Sequence, residues 1–176
     1  INGLRILGLT HYGLGRYAGG TGTEAGLTDL GPPLLKEMER LGVLLDLTHS
    51  SDRTFWESLE HYGGLILASH NNCRTLVPHQ RQFDDQQLQA IFQQDGVIGL
   101  AFDAWMLSLG WTIGESQNDS VTLNSVIDHI DYICQLAGNC RHAAIGTDLD
   151  GGYGREQSPS DLDTIADLQK LVGLLD

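Results

Sequence analysis

Cysteine is scarce in this sequence, and its spacing gives no pair typical of a metal or redox motif. Only Cys73, Cys134 and Cys140 occur, and none of them forms a Cys-x-x-Cys pair. Small secreted domains that depend on disulfides carry more cysteines, usually in even numbers. The odd, low count therefore indicates reduced thiols and predicts a cytoplasmic protein.

Basic residues and long apolar runs are also lacking. The chain has 10 Lys+Arg against 23 Asp+Glu, which gives a formal net charge of -13. Nucleic acids and anionic membrane surfaces both need clustered basic residues, so the sequence predicts neither partner. No apolar run approaches the roughly 20 residues of a spanning helix, which predicts that this chain has no membrane segment.

Short apolar runs are present, and they alternate with amphipathic stretches along all 176 residues. Each run is nearly all apolar, as is typical of parallel strands buried on both faces. The candidate strands are residues 4–9, 43–47, 65–68, 97–101 and 143–146. Length and composition suit one domain with a sizeable core.

The stretches between these strands carry helix-start signals. Candidate N-terminal residues are Thr28, Asp52, Asp84 with Gln87 as a capping box, and Ser160 with Asp163. Alternating strands and helices predict a parallel α/β sheet with right-handed crossovers. Five strands do not close an eight-stranded barrel, which takes about 250 residues. The chain is therefore either about the last five units of a (β/α)8 TIM-type barrel or a complete doubly wound open sheet.

Polar side chains follow four of the five strands. His11, His49, His70 and Asp148 each stand two positions after an apolar run. The carboxyl ends of parallel strands share one edge of the sheet, so these side chains should converge. A single histidine of this kind is usually a satisfied core residue, but three in equivalent positions favour a metal site.

The chemistry of such a site is hydrolytic. Neutral imidazole suits Zn²⁺, and a nearby carboxylate can take a proton from water that the metal activates. Two histidines from successive strands do not complete a tetrahedral zinc site. Further ligands must come from elsewhere.

Six segments resemble, in order, those of the renal (membrane) dipeptidase family of zinc peptidases. They are Gly26-Leu-Thr-Asp-Leu-Gly31, Val43-Leu-Leu-Asp-Leu-Thr-His49-Ser-Ser, Ala68-Ser-His70-Asn, His79-Gln-Arg81, Asp128-His-Ile-Asp-Tyr-Ile133 and Ile145-Gly-Thr-Asp148-Leu-Asp150-Gly151. The resemblance implies a (β/α) barrel with two zinc ions that cleaves dipeptides or similar small amides.

The resemblance also implies roles for individual residues. His49 and His70 match the histidines that bind one zinc, and Asp148 matches the carboxylate that shuttles the proton. His11 matches a histidine that contacts the substrate near the scissile carbonyl, where it can stabilise the developing oxyanion. Arg81 matches the arginine that binds the substrate carboxylate, a task suited to its planar fork of donors.

Three departures from the family pattern are visible. The family's first strand carries a His-x-Asp pair, and a later strand carries a glutamate that bridges the two zinc ions. The sequence, which begins at Ile1, contains neither segment, and Gln82 stands where asparagine is usual. One zinc site's ligands are thus expected to be absent from this chain. The expectation is a single partial barrel domain over residues 1–176, with the N-terminal barrel strands missing. A homodimer would cover strand edges that a partial barrel exposes.

Other patterns imitate functional sites. His129 and Asp131 mimic a metal pair, but their spacing within a helix predicts a solvated face. Residues 13–18 meet a loose dinucleotide fingerprint, which would support a nucleotide-dependent oxidoreductase, but glycines follow where a helix is needed. Asp46 lies among apolar strand neighbours and needs a partner, which predicts support for a ligand histidine. His79 is predicted to be a surface-loop histidine.

One competing hypothesis of a different class remains open. A metal-free, non-catalytic barrel that binds a small molecule would keep the same strand-end residues and lack the metal. Metal analysis of the full-length protein, together with a dipeptide hydrolysis assay, distinguishes this binding protein from the enzyme.

Overall fold

The computed structural model describes residues 3–175. Its strands are β1 (Ile6–Gly8), β2 (Leu44–Asp46), β3 (Ile66–Ala68), β4 (Val97–Leu100) and β5 (Ala143–Ile145). Its α-helices are α1 (Gly31–Leu41), α2 (Asp52–His61), α3 (Asp85–Gln93), α4 (Ala104–Leu107), α5 (Leu123–Ala137) and α6 (Lys170–Leu175). Short 3₁₀ segments lie at Asn118–Ser120, Arg155–Gln157 and Ile165–Gln169. Strands and helices thus alternate as the apolar pattern predicts.

The strands form one sheet in the order β1-β2-β3-β4-β5. Every neighbouring pair is parallel. Parallel neighbours need a crossover that returns the chain to the same end of the sheet. The helices α1, α2, α3 and α5 lie in these connections. All five strands therefore end at one edge, which becomes the rim of the site.

Each crossover helix buries large apolar side chains in the core. The fully buried large side chains include Leu35 of α1, Phe55 of α2, Ile91 of α3 and Ile133 of α5. Burying one such side chain stabilises a fold by about 1.5–3 kcal/mol.

Within residues 3–175, no helix has the length and apolarity required to cross a membrane.

Local capping sets where the helices begin. The capping box predicted at Asp84 is present, because its side chain accepts the Gln87 N–H and Gln87 Oε1 accepts the Asp84 N–H. At α2 the prediction is wrong by one residue. Ser51 has the extended backbone of an N-cap and accepts the Thr54 N–H at 3.0 Å, while Asp52 is the first helical residue.

The first and last helical segments begin later than predicted. Helix α1 starts at Gly31, and the Thr28 hydroxyl instead accepts the Leu30 N–H at 3.3 Å within the preceding turn. The final segment opens after Thr164 rather than Ser160, with a capping box of its own. Ser, Thr and Asp accept backbone N–H groups in turns as well as at N-caps, so residue type alone does not place the helix start.

Two glycines allow close packing beneath the site. A Cβ at Gly146 would lie 1.8 Å from the Ser69 carbonyl oxygen, and one at Gly99 would lie 2.2 Å from the same atom. Only glycine permits so close an approach to the end of β3. Because Ser69 precedes His70, the packing helps to place that histidine at the rim.

His129 corrects a prediction, because it does not lie on a solvated helix face. Its side chain is 1% exposed, and its Nδ1 accepts the Cys73 N–H at 3.1 Å. The ring thereby ties α5 to the loop after β3. Asp131, two residues on, points to the opposite side and is exposed, as predicted. The buried face of α5 is therefore wider than its apolar residues indicate.

We expect His129 to make stability depend on pH. Burial lowers its pKa from 6.5 to about 4, so the unfolded chain takes up this proton first and stability falls as the pH drops from about 6.5 to 4. In urea unfolding of the metal-free protein, the stability advantage of wild type over His129→Gln should shrink by about 3 kcal/mol between pH 7.5 and 4. An advantage that stays constant with pH would contradict this account.

Candidate active site

The rim of the sheet brings together the four residues singled out at the strand ends. The Nε2 atoms of His49 and His70 lie 3.2 Å apart, and His70 Nε2 lies 4.0 Å from Asp148 Oδ2. The ring of His11 is exposed, with its centroid 4.0 Å from that of His49. One imidazole pair thus has a carboxylate on one side and a third imidazole on the other.

Two of these residues adopt a backbone conformation that is unusual for residues other than glycine. His49 has φ 66° and Asp148 has φ 56°, both in the left-handed region. This region costs energy for a residue with a Cβ, and such residues concentrate at functional sites. The turns that hold them are closed by hydrogen bonds from Ser50 N to Leu47 O and from Gly151 N to Asp148 O.

Hydrogen bonds define which nitrogen of His49 carries the proton. Arg81 Nη2 lies 3.4 Å from His49 Nε2, and arginine can only donate, so this nitrogen is an acceptor. The Thr21 hydroxyl donates to the His49 carbonyl at 3.3 Å and lies 3.1 Å from Nδ1. Its oxygen accepts the Nδ1 proton, an arrangement that orients ligand histidines in metal sites.

His70 is held by a relay of hydroxyl groups. The Ser69 hydroxyl lies 2.8 Å from His70 Nδ1 and 3.4 Å from the Thr48 hydroxyl. Ser69 can accept the Nδ1 proton while donating to Thr48, which leaves a lone pair on Nε2. The other tautomer would donate from His70 to His49, so both tautomers suit the same ring positions.

Asp46 acts on the backbone next to both histidines. Its Oδ1 accepts the N–H groups of Thr48 and Ser69, each at 3.0 Å. These residues directly precede His49 and His70. The carboxylate therefore has its partners and ties the ends of β2 and β3 together. It supports the histidines through the main chain and not through their rings.

Both imidazoles of the pair are neutral at pH 7. Burial lowers the pKa of His49 to about 2, with further lowering from the charge of Arg81 and from His11 and His70. Burial and Arg81 also lower the pKa of His70, although Asp148 and Asp46 oppose the change. Neutral imidazole is the form that binds a metal ion.

Arg81 reaches the pair from the loop after β3. Its guanidinium is buried, donating from Nη1 to Asn71 Oδ1 at 2.5 Å and from Nη2 to the His70 carbonyl at 2.8 Å. Burial lowers its pKa. The ion pairs found among residues 3–175 do not include Arg81. Its charge is therefore available to an anionic group.

The residue beside the arginine departs from the family pattern, and its side chain leaves the rim. Gln82 Nε2 donates to the Met106 carbonyl at 2.7 Å and so anchors the loop to α4. Its Oε1 is buried and has no hydrogen-bond partner within the described part of the chain. Gln82 thus supports the loop that carries Arg81.

Comparison with known proteins identifies the family. Residues 2–175 match the family model described as membrane dipeptidase, peptidase family M19. The chain belongs to this family. A Klebsiella pneumoniae protein, described as an uncharacterized protein in the pqqA 5′ region, is 33% identical over 162 residues, or 92% of this chain and 56% of its own length. Dipeptidase aclJ of Aspergillus oryzae is 30% identical over 175 residues, covering 97% of this chain and 39% of its own length.

Solved structures of M19 peptidases share the fold. A metallo peptidase from Rhodobacter sphaeroides, liganded with a phosphinate mimic of the dipeptide L-Ala-D-Ala, superposes with a TM-score of 0.81 at 27% identity, covering 98% of this chain and 49% of its own. The dipeptidase AC of family M19 gives a TM-score of 0.80 at the same identity and coverage. The chain thus spans about half of its relatives, and its sheet corresponds to five β/α units of a TIM barrel, as predicted.

The geometry of the M19 histidine pair fits two ligands of one metal ion. Two zinc–nitrogen bonds of about 2.0–2.1 Å at a tetrahedral angle separate the nitrogens by about 3.3–3.4 Å. The Nε2 atoms of His49 and His70 lie 3.2 Å apart. Across residues 3–175, no cluster of three or more His, Cys, Asp or Glu side chains is arranged for a metal. The pair therefore fits a metal as part of a larger ligand set.

The glycine loop does not form a dinucleotide site. Gly20 N donates to the Gly13 carbonyl and Gly15 N to the Ala18 carbonyl, so the loop uses its own backbone groups. The first helix after it begins only at Gly31. The N-terminus that would receive a pyrophosphate is therefore missing from this position. The loop instead brings Thr21 to His49.

Two residues that contribute to the rim were not among the sequence predictions. Asp103 follows β4 and is buried, and a polar residue after an apolar run is the same signal that singled out the other strand ends. Thr21 carried no such signal, because it lies in an irregular loop 28 residues from its partner His49. Only the path of that loop brings it to the site.

Proposed function

We propose that the protein hydrolyses dipeptides and similar small amides at a zinc site to which His49 and His70 contribute ligands. The observation that carries the proposal is the 3.2 Å separation of their Nε2 atoms. Both rings are neutral, and Asp148 lies beside them at the same rim. The family relationship supports dipeptides as the substrate class.

Zinc bound there would lower the pKa of water to about 7 and so provide a nucleophile at neutral pH. Water, substrate or further side chains would complete its coordination. The family resemblance implies two zinc ions per complete site, and this number is part of the proposal. A homodimer and a cytoplasmic location remain predictions, which chromatography with light scattering and cell fractionation can test.

Residues around the histidine pair would transfer the proton, stabilise the oxyanion and bind the substrate carboxylate. Asp148 would take the proton of the attacking water and return it to the leaving amine nitrogen, because its carboxylate stands 4.0 Å from His70 Nε2. His11 is exposed at the rim and would donate to the developing oxyanion of the scissile carbonyl. Arg81 would bind the substrate carboxylate through its unpaired charge.

A combined metal and activity measurement tests the proposal. The intact protein should contain zinc by elemental analysis and should release D-alanine from L-Ala-D-Ala. Chelation should abolish this release, and added zinc should restore it. Zinc-loaded protein that cleaves no dipeptide of a broad panel would refute hydrolysis. Dipeptide binding without metal and without cleavage would favour the non-catalytic alternative.

Arg81→Lys is expected to raise KM for L-Ala-D-Ala by about 10- to 100-fold, because lysine keeps the charge but loses the fork of donors. The matched control is the dipeptide amide, which lacks the carboxylate and should be cleaved equally well by both proteins. Equal losses on the two substrates would show that Arg81 supports the histidines and does not bind the carboxylate.

A further inference from the structure

Asp103 is a rim carboxylate that the proposed chemistry does not use. It follows β4 and is only 8% exposed. Strand β4 pairs with β5 in parallel, and the Phe102 N–H donates to the Thr147 carbonyl at 2.9 Å. The next residues along the two strands are Asp103 and Asp148. The two carboxylates therefore stand level at adjacent positions of the rim.

The partners of Asp103 are neutral. Trp105 Nε1 donates to Oδ2 at 2.7 Å, and Gln157 Nε2 donates to Oδ1 at 2.8 Å. The ion pairs found in the described part of the chain do not include Asp103. A carboxylate has about four acceptor positions, so two hydrogen bonds leave room for a further donor. A buried carboxylate without a cation is costly, which favours a ligand that brings one.

The raised pKa of Asp103 agrees with the absence of a cationic side chain beside it among residues 3–175. Burial raises its pKa to about 6, and the negative charge of Asp148 adds to the rise, against the hydrogen bonds from Gln157 and Trp105 that lower it. A positive group in contact would bring this pKa down again. At pH 7 the carboxylate is mostly ionised and attracts such a group.

A dipeptide carries the missing charge. It is a zwitterion with its carboxylate and its ammonium group on opposite sides of a single peptide bond. Arg81, which contacts the His70 carbonyl after β3, takes the carboxylate in the proposed function, and Asp103 lies after the next strand. We infer that Asp103 is a specificity residue that binds the α-ammonium group of the dipeptide, an inference that rests on the proposed function.

The segments that carry the two anchors are linked through Trp105 and His79. The Trp105 indole donates to Asp103 and meets the His79 ring edge-on, with centroids 4.8 Å apart. His79 is exposed in its loop, as predicted, and its Nδ1 accepts the Arg81 N–H at 3.0 Å. This link holds the loop that carries Arg81 next to the segment that carries Asp103, as a short substrate with a charge at each end requires.

Propionyl-D-alanine provides the test, because it is L-Ala-D-Ala with hydrogen in place of the α-amino group. Wild-type protein should prefer L-Ala-D-Ala by about 10- to 100-fold in kcat/KM, the range for loss of a charged hydrogen bond. Asp103→Asn keeps the shape of the side chain and its acceptor for Trp105. It should remove most of this preference, mainly by raising KM for L-Ala-D-Ala.

Asp131→Asn is the matched control, because it makes the same chemical change at an exposed position of α5, away from the rim. It should retain the wild-type preference. Calorimetric binding of both ligands to metal-free protein should show the same pattern, so failure of hydrolysis does not prevent the test. Wild-type protein with no preference, or an Asp103→Asn variant that loses both ligands equally, would overturn the inference and leave only a structural carboxylate.

Discussion

Replacing Asp148 by asparagine is expected to abolish dipeptide turnover while the zinc content of the protein stays near that of wild type. Asparagine matches aspartate in shape and tolerates the left-handed backbone, φ 56°, that this position requires. It cannot take up a proton at neutral pH. Loss of a general acid–base group typically lowers rates by about 10²–10⁴-fold, which makes this one of the two largest effects expected.

The chain offers a close control for this variant. Asp150 lies in the same turn, also has a left-handed backbone at φ 66°, and is exposed. Asp150→Asn makes the same chemical change two residues away and should leave kcat within about threefold of wild type. Measurement of kcat and of bound zinc for both variants decides the outcome. Unchanged turnover in Asp148→Asn would remove this residue from the mechanism.

Replacing His49 by alanine is expected to remove the metal itself. The ring lies 3.2 Å from its partner nitrogen and is oriented by Thr21, so it supplies a ligand and part of the geometry. Loss of an orienting partner alone typically weakens metal sites by about 10- to 100-fold, and loss of a ligand should exceed this range. Titration against a chromophoric chelator measures the change in zinc affinity.

His61→Ala controls for the loss of an imidazole. His61 is exposed at the end of α2 and should leave zinc affinity unchanged. Comparison of the two single variants therefore distinguishes the loss of a metal ligand from the loss of any histidine. Full zinc retention by His49→Ala, with turnover intact, would contradict the assignment of this histidine as a ligand. Turnover lost with zinc retained would instead indicate a role in orienting substrate.

Several features of the fold could be predicted because they depend on residues close together in sequence. The capping box at Asp84 uses groups three residues apart. The strands are short apolar runs, and parallel strands must end at one edge of the sheet. Helix starts at Thr28, Asp52 and Ser160 were predicted less well, since several polar residues near each start can accept the same N–H groups.

The burial of His129 shows where local pattern fails. Helical spacing placed this histidine on a polar face, yet its Nδ1 accepts an N–H from Cys73, 56 residues away. A neutral histidine accepts a hydrogen bond at one ring nitrogen and carries its proton on the other, so it can be buried where a donor meets the accepting nitrogen. The residue pattern of α5 does not indicate the position of the Cys73 N–H.

The sequence by itself determined that the protein is a parallel α/β chain of the membrane dipeptidase family with His11, His49, His70 and Asp148 at strand ends. Strand-end position follows from the order of residues, because every parallel strand delivers its last side chains to one rim. The tertiary structure decided which groups orient those side chains and which remain unpaired. Thr21 reaches His49, and Asp103 has no cationic partner among residues 3–175, because of the paths of irregular loops, whose contacts join residues far apart in the chain.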